Sequence, residues 1–499
     1  MASGDLDHQH TRDSTGTSDQ TPSLLDLLSN TLVLYQTIPY LPISSILHIA
    51  ATSRSFRHLL HTTPGVFRHL DLTRVSTAQF DIDEIDHGGE VWRNVQVDEN
   101  LTEDDFYSGP LRGIFTSLRR RNILRHVNTL VLDGLSVTSE FLNDILVDPA
   151  SRIRVLSVRE VKNLNERKLM QALRYACRPT RPDDTPRLKA LYYFGKRDAD
   201  PLPVARASST GAAANISAGW NQKSQNALKE SIEGGEGEED WYSRKGRMIS
   251  KPIADGWAET ILDCREALRF DTVLCTGPRH RNSPAFGKTP HLTPAGGSPW
   301  GVATFAVGGC ASCGSAPEGF TTYGDSPSEE LPLLSPIPLH SSSIKSAMRP
   351  TASDRQRRRH EFVPRCLECI RERYCFSCNQ WWCETCYQVP SREEHEQQLL
   401  LLTQQQHHHP HLIVNPDTDN DNNNNGGGGD LDDHEKAALA GQLKIKTPKI
   451  TRSCWECEHN CLDCIAETQK RCTACGGGYC IIHHEGSTLK LCDCKTDET

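Results

Sequence analysis

Two stretches in the C-terminal half of the chain carry metal-ligand side chains at matching spacings. A Cys-x2-Cys turn directs two thiolates at one ion, and zinc takes four tetrahedral ligands from Cys and His. His483 stands where the first stretch has Cys386, an exchange that suits a metal but defeats a disulfide there. The repetition therefore predicts a duplicated zinc-binding unit. Its ligands are Cys366, Cys369, Cys375, Cys378, Cys383 and Cys386 in the first copy, and Cys461, Cys464, Cys472, Cys475, Cys480 and His483 in the second.

Other uses of these cysteines fit less well. Redox Cys-x2-Cys motifs normally occur singly beside a βαβ pattern, whereas eight Cys-x2-Cys or Cys-x2-His pairs follow one another here. Structural disulfides require an oxidising compartment. Residues 1–21 are polar and carry no apolar stretch typical of a secretory signal, so we expect a reducing compartment.

Counting ligands predicts about four structural ions. Six ligands in each copy cannot fill two tetrahedral sites per copy, so further pairs are required. Adding Cys310 with Cys313 and Cys454 with Cys457 supplies four sites with no open position for a catalytic water. Structural zinc contributes about 10 to 16 kcal/mol to folding small domains, so these segments should unfold without it. The residues left over, which keep the pairing open, are Cys492, Cys494, His459 and His484.

Composition favours ordered modules on flexible connectors. The 499 residues are 36% hydrophobic and include 35 Gly and 28 Pro. A net charge of −9 argues against generic binding to nucleic acid or to anionic membranes. No apolar run approaches the roughly 18 residues needed to span a bilayer. We therefore expect a soluble protein of the cytoplasm, the nucleus or both.

Residues 21–72 have apolar side chains at helical spacing, with breaks at Pro39 and Pro42. The pattern predicts three short helices. The first begins near Asn30, which can cap it, and ends by residue 40. The second covers about residues 43–51, and Ser53 caps the third.

This stretch resembles an F-box, the three-helix module that docks on the Skp-type adaptor of a cullin-based ubiquitin ligase. It departs from the family pattern where Asn30-Thr31 replaces an opening Leu-Pro, and where Ser44 or Ser45 replaces an acidic residue. The alternative is an ordinary helical hairpin that caps the next domain. The likeness rests on Ile38, Tyr40, Leu41, Pro42, Ile46, Leu47, Ser53, Phe56, Arg57, Leu60, Phe67 and Leu70. The partner-binding residues it implies are Ile38, Leu41, Pro42, Ile46, Leu47, Phe56, Leu60 and Phe67.

After the F-box-like stretch, an apolar Leu-x2-Leu-x-Leu signature recurs and predicts short parallel strands of an irregular leucine-rich-repeat-like region. Helices are expected over residues 138–146 and 165–177, with a further helix and strand over 252–276. The alternative is a small α/β domain without repeats. Cys177, Cys264 and Cys275 lie in apolar surroundings and are interpreted as core thiols. The strand residues are Phe67, Leu70, Leu72 and Val75; Val127, Leu130, Leu132 and Leu135; Ile153, Leu156, Val158 and Val161; and Leu188, Leu191 and Tyr193.

The rest of the chain is divided by composition into connectors and small modules. The predicted order is a leader at 1–20, the F-box-like domain at 21–72, the repeat region at 73–204, a linker at 205–251, its extension at 252–276, a linker at 277–300, a zinc knuckle at 301–314, a linker at 315–360, zinc unit 1 at 361–390, a low-complexity insertion at 391–450, and zinc unit 2 at 451–499.

Together these patterns predict a multidomain α+β protein: a three-helix F-box, a repeat-like α/β region, small zinc-stabilised modules and long disordered linkers. The resemblance implies a non-catalytic adaptor that brings an unknown protein substrate to a Skp- and cullin-containing ligase. One alternative is nuclear nucleic-acid or protein binding, since basic runs stand at residues 119–121 and 355–359. Another is a RING-like ligase, although the Cys-x-His alternation typical of a RING is absent. No phosphate loop or dinucleotide fingerprint occurs.

Overall fold

The computed structural model describes residues 22–79, 102–198, 241–242, 245–288, 299–317, 321–322, 331–337, 344–348, 361–388 and 449–493. The chain divides into two compact units. The first comprises Met1–Asn165, Pro186–Lys189 and Pro338–Ser343, and the second comprises Glu166–Thr185, Ala190–Ile337 and Ile344–Thr499. The described fold mixes helices with several small sheets. The predicted leader and nearly all of the low-complexity insertion lie outside the described residues.

The first unit opens with the predicted helices. Asn30 caps α2, because its side-chain oxygen accepts the backbone N–H of Leu32 at 3.0 Å. Ser53 caps α4 in the same way, accepting the N–H of Phe56 at 3.1 Å. An additional helix, α1, precedes them. The bounds are α1 Leu24–Ser29, α2 Thr31–Thr37, a 3₁₀ turn Ile38–Tyr40, α3 Ile43–Thr52 and α4 Arg54–Thr62.

Four of the eight residues predicted to bind a partner lie in the core of this unit. Ile38, Ile46, Leu60 and Phe67 are all at most 6% exposed, so they stabilise the helices and cannot offer a surface to a partner. Leu41, Leu47 and Phe56 are half-buried, and Pro42 is exposed.

Three parallel strands follow, each at a predicted position. The register aligns Leu70, Leu130 and Leu156, all at most 1% exposed, at the centre of the sheet. Helix α6 matches the helix predicted at 138–146. The bounds are β1 His69–Asp71, α5 Glu103–Arg120, β2 Thr129–Val131, α6 Ser139–Val147 and β3 Val155–Ser157.

A buried ion pair connects the ends of two of these strands. The guanidinium of Arg159 donates to the Asp133 carboxylate at 2.8 Å, and the two side chains are 1% and 4% exposed. Asp133 also accepts the Ser157 hydroxyl at 2.6 Å and the Arg159 backbone N–H at 2.8 Å. Burial raises the pKa of Asp133, against the lowering effect of Arg159 and Ser157.

The second unit contains the predicted helix and strand at 252–276. Helix α7 packs on α8, and β4 pairs in parallel with β6. Trp257 is fully buried and stacks on Tyr193 with ring centroids 4.6 Å apart. The bounds are α7 Glu166–Ala176, β4 Ala190–Tyr192, α8 Trp257–Cys264 and β6 Arg269–Phe270.

A four-stranded antiparallel sheet, ordered β5-β7-β9-β8, positions the first metal ligands. Strand β9 ends immediately before Cys366, and β7 ends three residues before Cys310. Two hairpins, β10-β11 and β12-β13, carry later ligands. The bounds are β5 Gly246–Arg247, β7 Phe305–Val307, β8 Thr321–Thr322, α9 Ile344–Ala347, β9 Glu361–Arg365, α10 Leu367–Ile370, β10 Ile450–Thr451, β11 Asn460–Cys461, α11 Leu462–Thr468, β12 Gln469–Arg471 and β13 Gly478–Cys480.

Parts of three predicted linkers are packed instead of extended. In the linker predicted at 205–251, Trp241 and Tyr242 are at most 5% exposed and Gly246–Arg247 forms β5. Residues 277–288 form turns that bury Ser283 and Ala285, and Leu333 is fully buried in the segment 331–337. No helix within the described ranges is both long and apolar enough to cross a membrane.

We expect Asp133→Ala to lower the free energy of unfolding by about 3 to 5 kcal/mol, because it leaves the Arg159 guanidinium buried without its carboxylate. Urea denaturation of the full chain measures this. Asp144→Ala is the matched control, since its carboxylate is 60% exposed in its ion pair with Arg112. That change should cost less than about 1 kcal/mol. Equal effects of the two substitutions would contradict the buried-pair assignment.

Candidate metal centre

Five groups of Cys and His side chains are assembled in the second unit, each with its ligand atoms within 4.8 Å of one another. All sixteen predicted metal ligands belong to these groups. Each group could hold a metal ion. Cluster 1 is Cys275, His280, Cys366 and Cys369; cluster 2 is Cys310, Cys313, Cys383 and Cys386; cluster 3 is Cys375, Cys378, Cys461 and Cys464; cluster 4 is Cys454, Cys457, Cys480 and His483; cluster 5 is Cys472, Cys475 and Cys492.

The spacing between ligand atoms fits a tetrahedral ion. With metal–sulfur bonds of about 2.3 Å, the edge of such a tetrahedron is about 3.8 Å. Cys313 and Cys383 have their sulfurs 3.8 Å apart, and the sulfurs of Cys457 and Cys480 are 3.6 Å apart. Disulfide sulfurs would lie about 2.05 Å apart, and the thiols of all five clusters are free. The dimensions are compatible with zinc.

Backbone N–H groups are directed at the sulfurs, as a thiolate requires. The N–H of Ser312 donates to the Cys310 sulfur at 3.4 Å from within the same Cys-x2-Cys turn. The N–H of Ala474 donates to Cys472 in the corresponding turn of cluster 5, also at 3.4 Å. The chain thus offers hydrogen bonds that stabilise negative sulfur.

Neighbouring thiols in a cluster resist ionising together. Backbone N–H groups of Cys475 and Cys492 lower the pKa of Cys472 to about 5. Burial and the neighbouring Cys375 raise the pKa of Cys378 to about 11. Burial and the adjacent thiols of cluster 4 raise that of Cys457 to about 12. One thiolate per cluster forms readily, but a second beside it needs a cation, which a divalent metal supplies.

Cluster 1 shows the same balance in a fully buried setting. Burial disfavours the Cys275 thiolate, but hydrogen bonds from Cys366, Cys369 and His280 outweigh it, so the pKa of Cys275 lies well below its usual value. The hydrogen bond to Cys275 raises the pKa of Cys369 well above its usual value.

The clusters are interleaved along the chain. The two ligand pairs of cluster 1 enclose the first pair of cluster 2, and the two pairs of cluster 2 enclose the first pair of cluster 3. The same alternation continues through clusters 4 and 5. Each ion would therefore tie together segments that the next ion also holds, so that the five centres form one continuous series.

Cluster 3 combines ligands from both predicted zinc units. It takes Cys375 and Cys378 from the first predicted unit, and Cys461 and Cys464 from the second. The Asn460 side-chain oxygen reinforces this junction by accepting the Ser377 backbone N–H at 3.1 Å. The spacing of the ligands is duplicated, but one group of four cysteines is shared between the two copies.

Cys275, interpreted as a core thiol, is fully buried and also belongs to cluster 1, and His280 was missed as a candidate ligand. The imidazole Nε2 of His280 lies 3.3 Å from the Cys366 sulfur, 86 residues away in sequence. Glycines make room for these ligands: a Cβ on Gly277 would lie 2.5 Å from the Cys369 sulfur, and one on Gly301 would lie 2.7 Å from the His280 ring. The x4 spacing of Cys275 and His280 differs from the repeated x2 spacing, so the motif search did not find it.

The ligands left over by the sequence count have separate positions. Cys492 joins cluster 5, with its sulfur 3.5 Å from that of Cys475. His484 contacts the Asp493 carboxylate at 2.8 Å, and Cys494 lies outside the described residues. The described residues therefore form five groups, one more than the roughly four ions predicted, because Cys275, His280 and Cys492 were not included in the count.

Buried polar and aromatic side chains support the centres. Arg373 and Glu384 form an ion pair at 2.7 Å with both side chains at most 5% exposed, between ligands of clusters 1 to 3. Trp381 is 1% exposed and Tyr479 is 7% exposed, so both pack inside the metal-bearing region.

Comparisons of the chain with protein-family models, with curated proteins and with solved structures gave no match. Its function is inferred below from its own residues.

We expect Cys275→Ser and His280→Ala each to lower the bound metal by one equivalent per chain or more, because each removes one of four ligands from cluster 1 and the interleaving couples cluster 1 to the next clusters. Metal content is measured by elemental analysis of reduced, gel-filtered protein. The matched control is Cys177→Ser, a buried thiol outside all five clusters, which should keep the full complement. Unchanged metal content in both cluster 1 variants would refute that assignment.

Proposed function

We propose that the chain is a non-catalytic, substrate-recruiting adaptor of an SCF-type cullin–RING ubiquitin ligase. Its N-terminal helices would dock on a Skp-type adaptor, and its metal-stabilised second unit would present a surface to a protein substrate. The observation that carries the proposal is an exposed apolar surface on the helices that resemble an F-box.

The exposed apolar side chains are concentrated in one short segment. Of thirteen large apolar side chains exposed within the described ranges, six fall in residues 24–40. Leu32 is 75% exposed, Tyr40 66% and Leu24 59%. Scattered apolar residues on a surface are ordinary, but a concentration of them marks a site of interaction. We name this the front surface: Leu24, Leu27, Leu32, Val33, Tyr35 and Tyr40.

The charge pattern of the same segment favours an apolar partner. Residues 27–47 include no Asp, Glu, Lys, Arg or His. A helix exposed to water normally carries charged residues on its outer face. Uncharged helices with outward leucines and tyrosines are instead the kind of surface that packs into an apolar groove of another protein.

We propose zinc as the ion of the five clusters, with a structural role. The ligands are thiolates and imidazoles, four to a site in clusters 1 to 4, a donor set that zinc prefers. Protein atoms fill every position of those four sites, which leaves no place for a metal-activated water.

Two residues on cluster 4 supply a candidate surface for the substrate. Trp455 lies in the turn between Cys454 and Cys457 and is 84% exposed; Ile482, beside His483, is 43% exposed. The ion of cluster 4 would hold both turns and so fix these apolar side chains on one rigid scaffold. Recruitment of this kind acts by proximity, because it raises the effective concentration of the substrate near the loaded conjugating enzyme.

We expect Leu32→Asp to abolish co-purification of the Skp-type adaptor from cells, because it places a charge in the front surface. Thr31→Asp is the matched control. It adds the same charge to the adjacent exposed residue in the first turn of α2, where a carboxylate suits the helix dipole. Capture of the adaptor by wild type and control but not by Leu32→Asp supports the proposal. Absence of the adaptor from wild-type captures would refute it.

A RING-like ubiquitin ligase is the second candidate, favoured by the interleaving of clusters 1 and 2. RING domains also hold two ions with alternating ligand pairs, although the one Cys-x-His of this chain, Cys457-Glu458-His459, has its His outside the five clusters.

The adaptor proposal predicts no ubiquitin chain formation when purified, zinc-loaded protein is mixed with activating enzyme, conjugating enzymes and ubiquitin in the absence of cullin. Autoubiquitination that disappears in Cys310→Ser would establish the RING-like alternative. A known RING ligase in a parallel reaction shows that the conjugating enzymes are active.

A further inference from the structure

An open cavity of about 420 Å³ in the first unit is lined by basic side chains. Arg68, Arg125, His126 and Arg152 line it, together with Asn128 and Tyr35. No carboxylate is among the described residues of the lining. This local excess of positive charge stands out in a chain whose net charge is −9.

The parallel strands explain why these residues meet. Arg68 directly precedes β1, Asn128 directly precedes β2, and Arg152 stands three residues before β3. The backbone ladder continues through them, since the Asn128 N–H donates to the Arg68 carbonyl at 2.8 Å. Residues that directly precede parallel strands lie at the same end of the sheet, where the strands begin. Arg68 and Arg152, which precede β1 and β3, and Arg125, four residues before β2, therefore lie at the same end of the strands.

The acidic residues of these strands lie at the opposite end, where the strands finish. Asp71 ends β1. Asp133 follows β2 and forms its ion pair with Arg159. Within the part of the chain that the structure describes, Arg125 and Arg152 form no side-chain ion pair or hydrogen bond. Their charges are therefore available to a ligand.

A neighbouring cavity shows the contrast. It lies between α5 and α6, and two of its three arginines are neutralised within the protein: Arg112 pairs with Asp144 at 3.1 Å, and Arg119 pairs with Asp148 at 3.0 Å. The third, Arg125, also lines the basic cavity.

We propose that the basic cavity is a binding site for a dianionic phosphate group, either the free ion or a phosphate monoester. Such a group carries up to two negative charges and three terminal oxygens, and guanidinium groups bind these oxygens in bidentate fashion. Arg125 and Arg152, with up to five N–H donors each, offer more donors than the two oxygens of a carboxylate can accept. The volume admits the phosphate and part of the group attached to it. The proposal does not rest on the adaptor role, and the cavity shares Tyr35 with the front surface.

The test titrates the full-length, zinc-loaded protein with inorganic phosphate and with a short peptide carrying one phosphoserine, followed by calorimetry. The unphosphorylated peptide and sodium acetate serve as comparison ligands. We expect saturable binding of at least one phosphate probe and none of the comparison ligands. Binding of both probes or of phosphate alone indicates a site for the free ion. Binding of the peptide alone indicates a site for a phosphorylated side chain.

Arg125→Gln with Arg152→Gln should weaken binding by about tenfold or more, because charge-assisted hydrogen bonds are lost. Arg120→Gln with Arg121→Gln is the matched control. These arginines are exposed and outside the cavity lining, so the net charge changes equally while affinity should stay the same. Arg125→Lys with Arg152→Lys should bind with intermediate affinity, since charge remains without the bidentate geometry.

Three results would overturn the proposal. The first is the absence of saturable binding of either phosphate probe by wild type. The second is an equal loss in the control pair, which would reduce the effect to net charge. The third is cavity-dependent binding of a single-stranded oligonucleotide without terminal phosphate while the monoester probes fail, which would assign the site to nucleic acid. Unchanged metal content and circular dichroism verify that the variants are folded.

Discussion

The second unit depends on keeping many thiolates close together. Clusters 2 to 5 place sulfur atoms about 3.4 to 3.9 Å apart, a distance at which negative charges repel strongly unless a cation lies between them. Backbone N–H groups favour one thiolate in a cluster, but burial and neighbouring sulfurs oppose the next. A divalent cation placed between the thiolates replaces their mutual repulsion with attraction of each thiolate to the cation. Because the clusters are interleaved, the effect extends from the segment at Cys275 to the segment at Cys492.

The N-terminal helices and the region of the metal clusters are stabilised by different interactions. The N-terminal helices bury enough apolar residues to fold, and they leave Leu32 and Tyr40 facing water. The metal-bearing region has short strands and small hairpins, which could not fold on apolar burial alone. In the proposed adaptor, the first surface is offered to shared ligase components, and the metal-held surface distinguishes one substrate from another.

Sequence patterns predicted what is local. Asn30 and Ser53 revealed two helix starts because a cap acts within three residues, and the x2 spacing revealed the ligand pairs for the same reason. Pairing between distant ligands is a property of the fold: Cys275 approaches Cys366 across 91 residues. The sequence also did not show which face of α2 is buried. Leu32, Val33, Leu34 and Tyr35 follow one another in α2, so nothing in the pattern separates Leu34, fully buried, from Leu32, 75% exposed.

The central claim is that interleaving makes the metal centres one cooperative structure. Native mass spectrometry of the full chain during titration with a chelator tests this most directly. We expect clusters 1 to 4 to lose their ions together, so that the fully loaded and the largely metal-free species dominate. The largely metal-free species should show the broad charge distribution of an unfolded chain. Stepwise release, in which species with three, two and one ions accumulate in turn and stay compact, would contradict it.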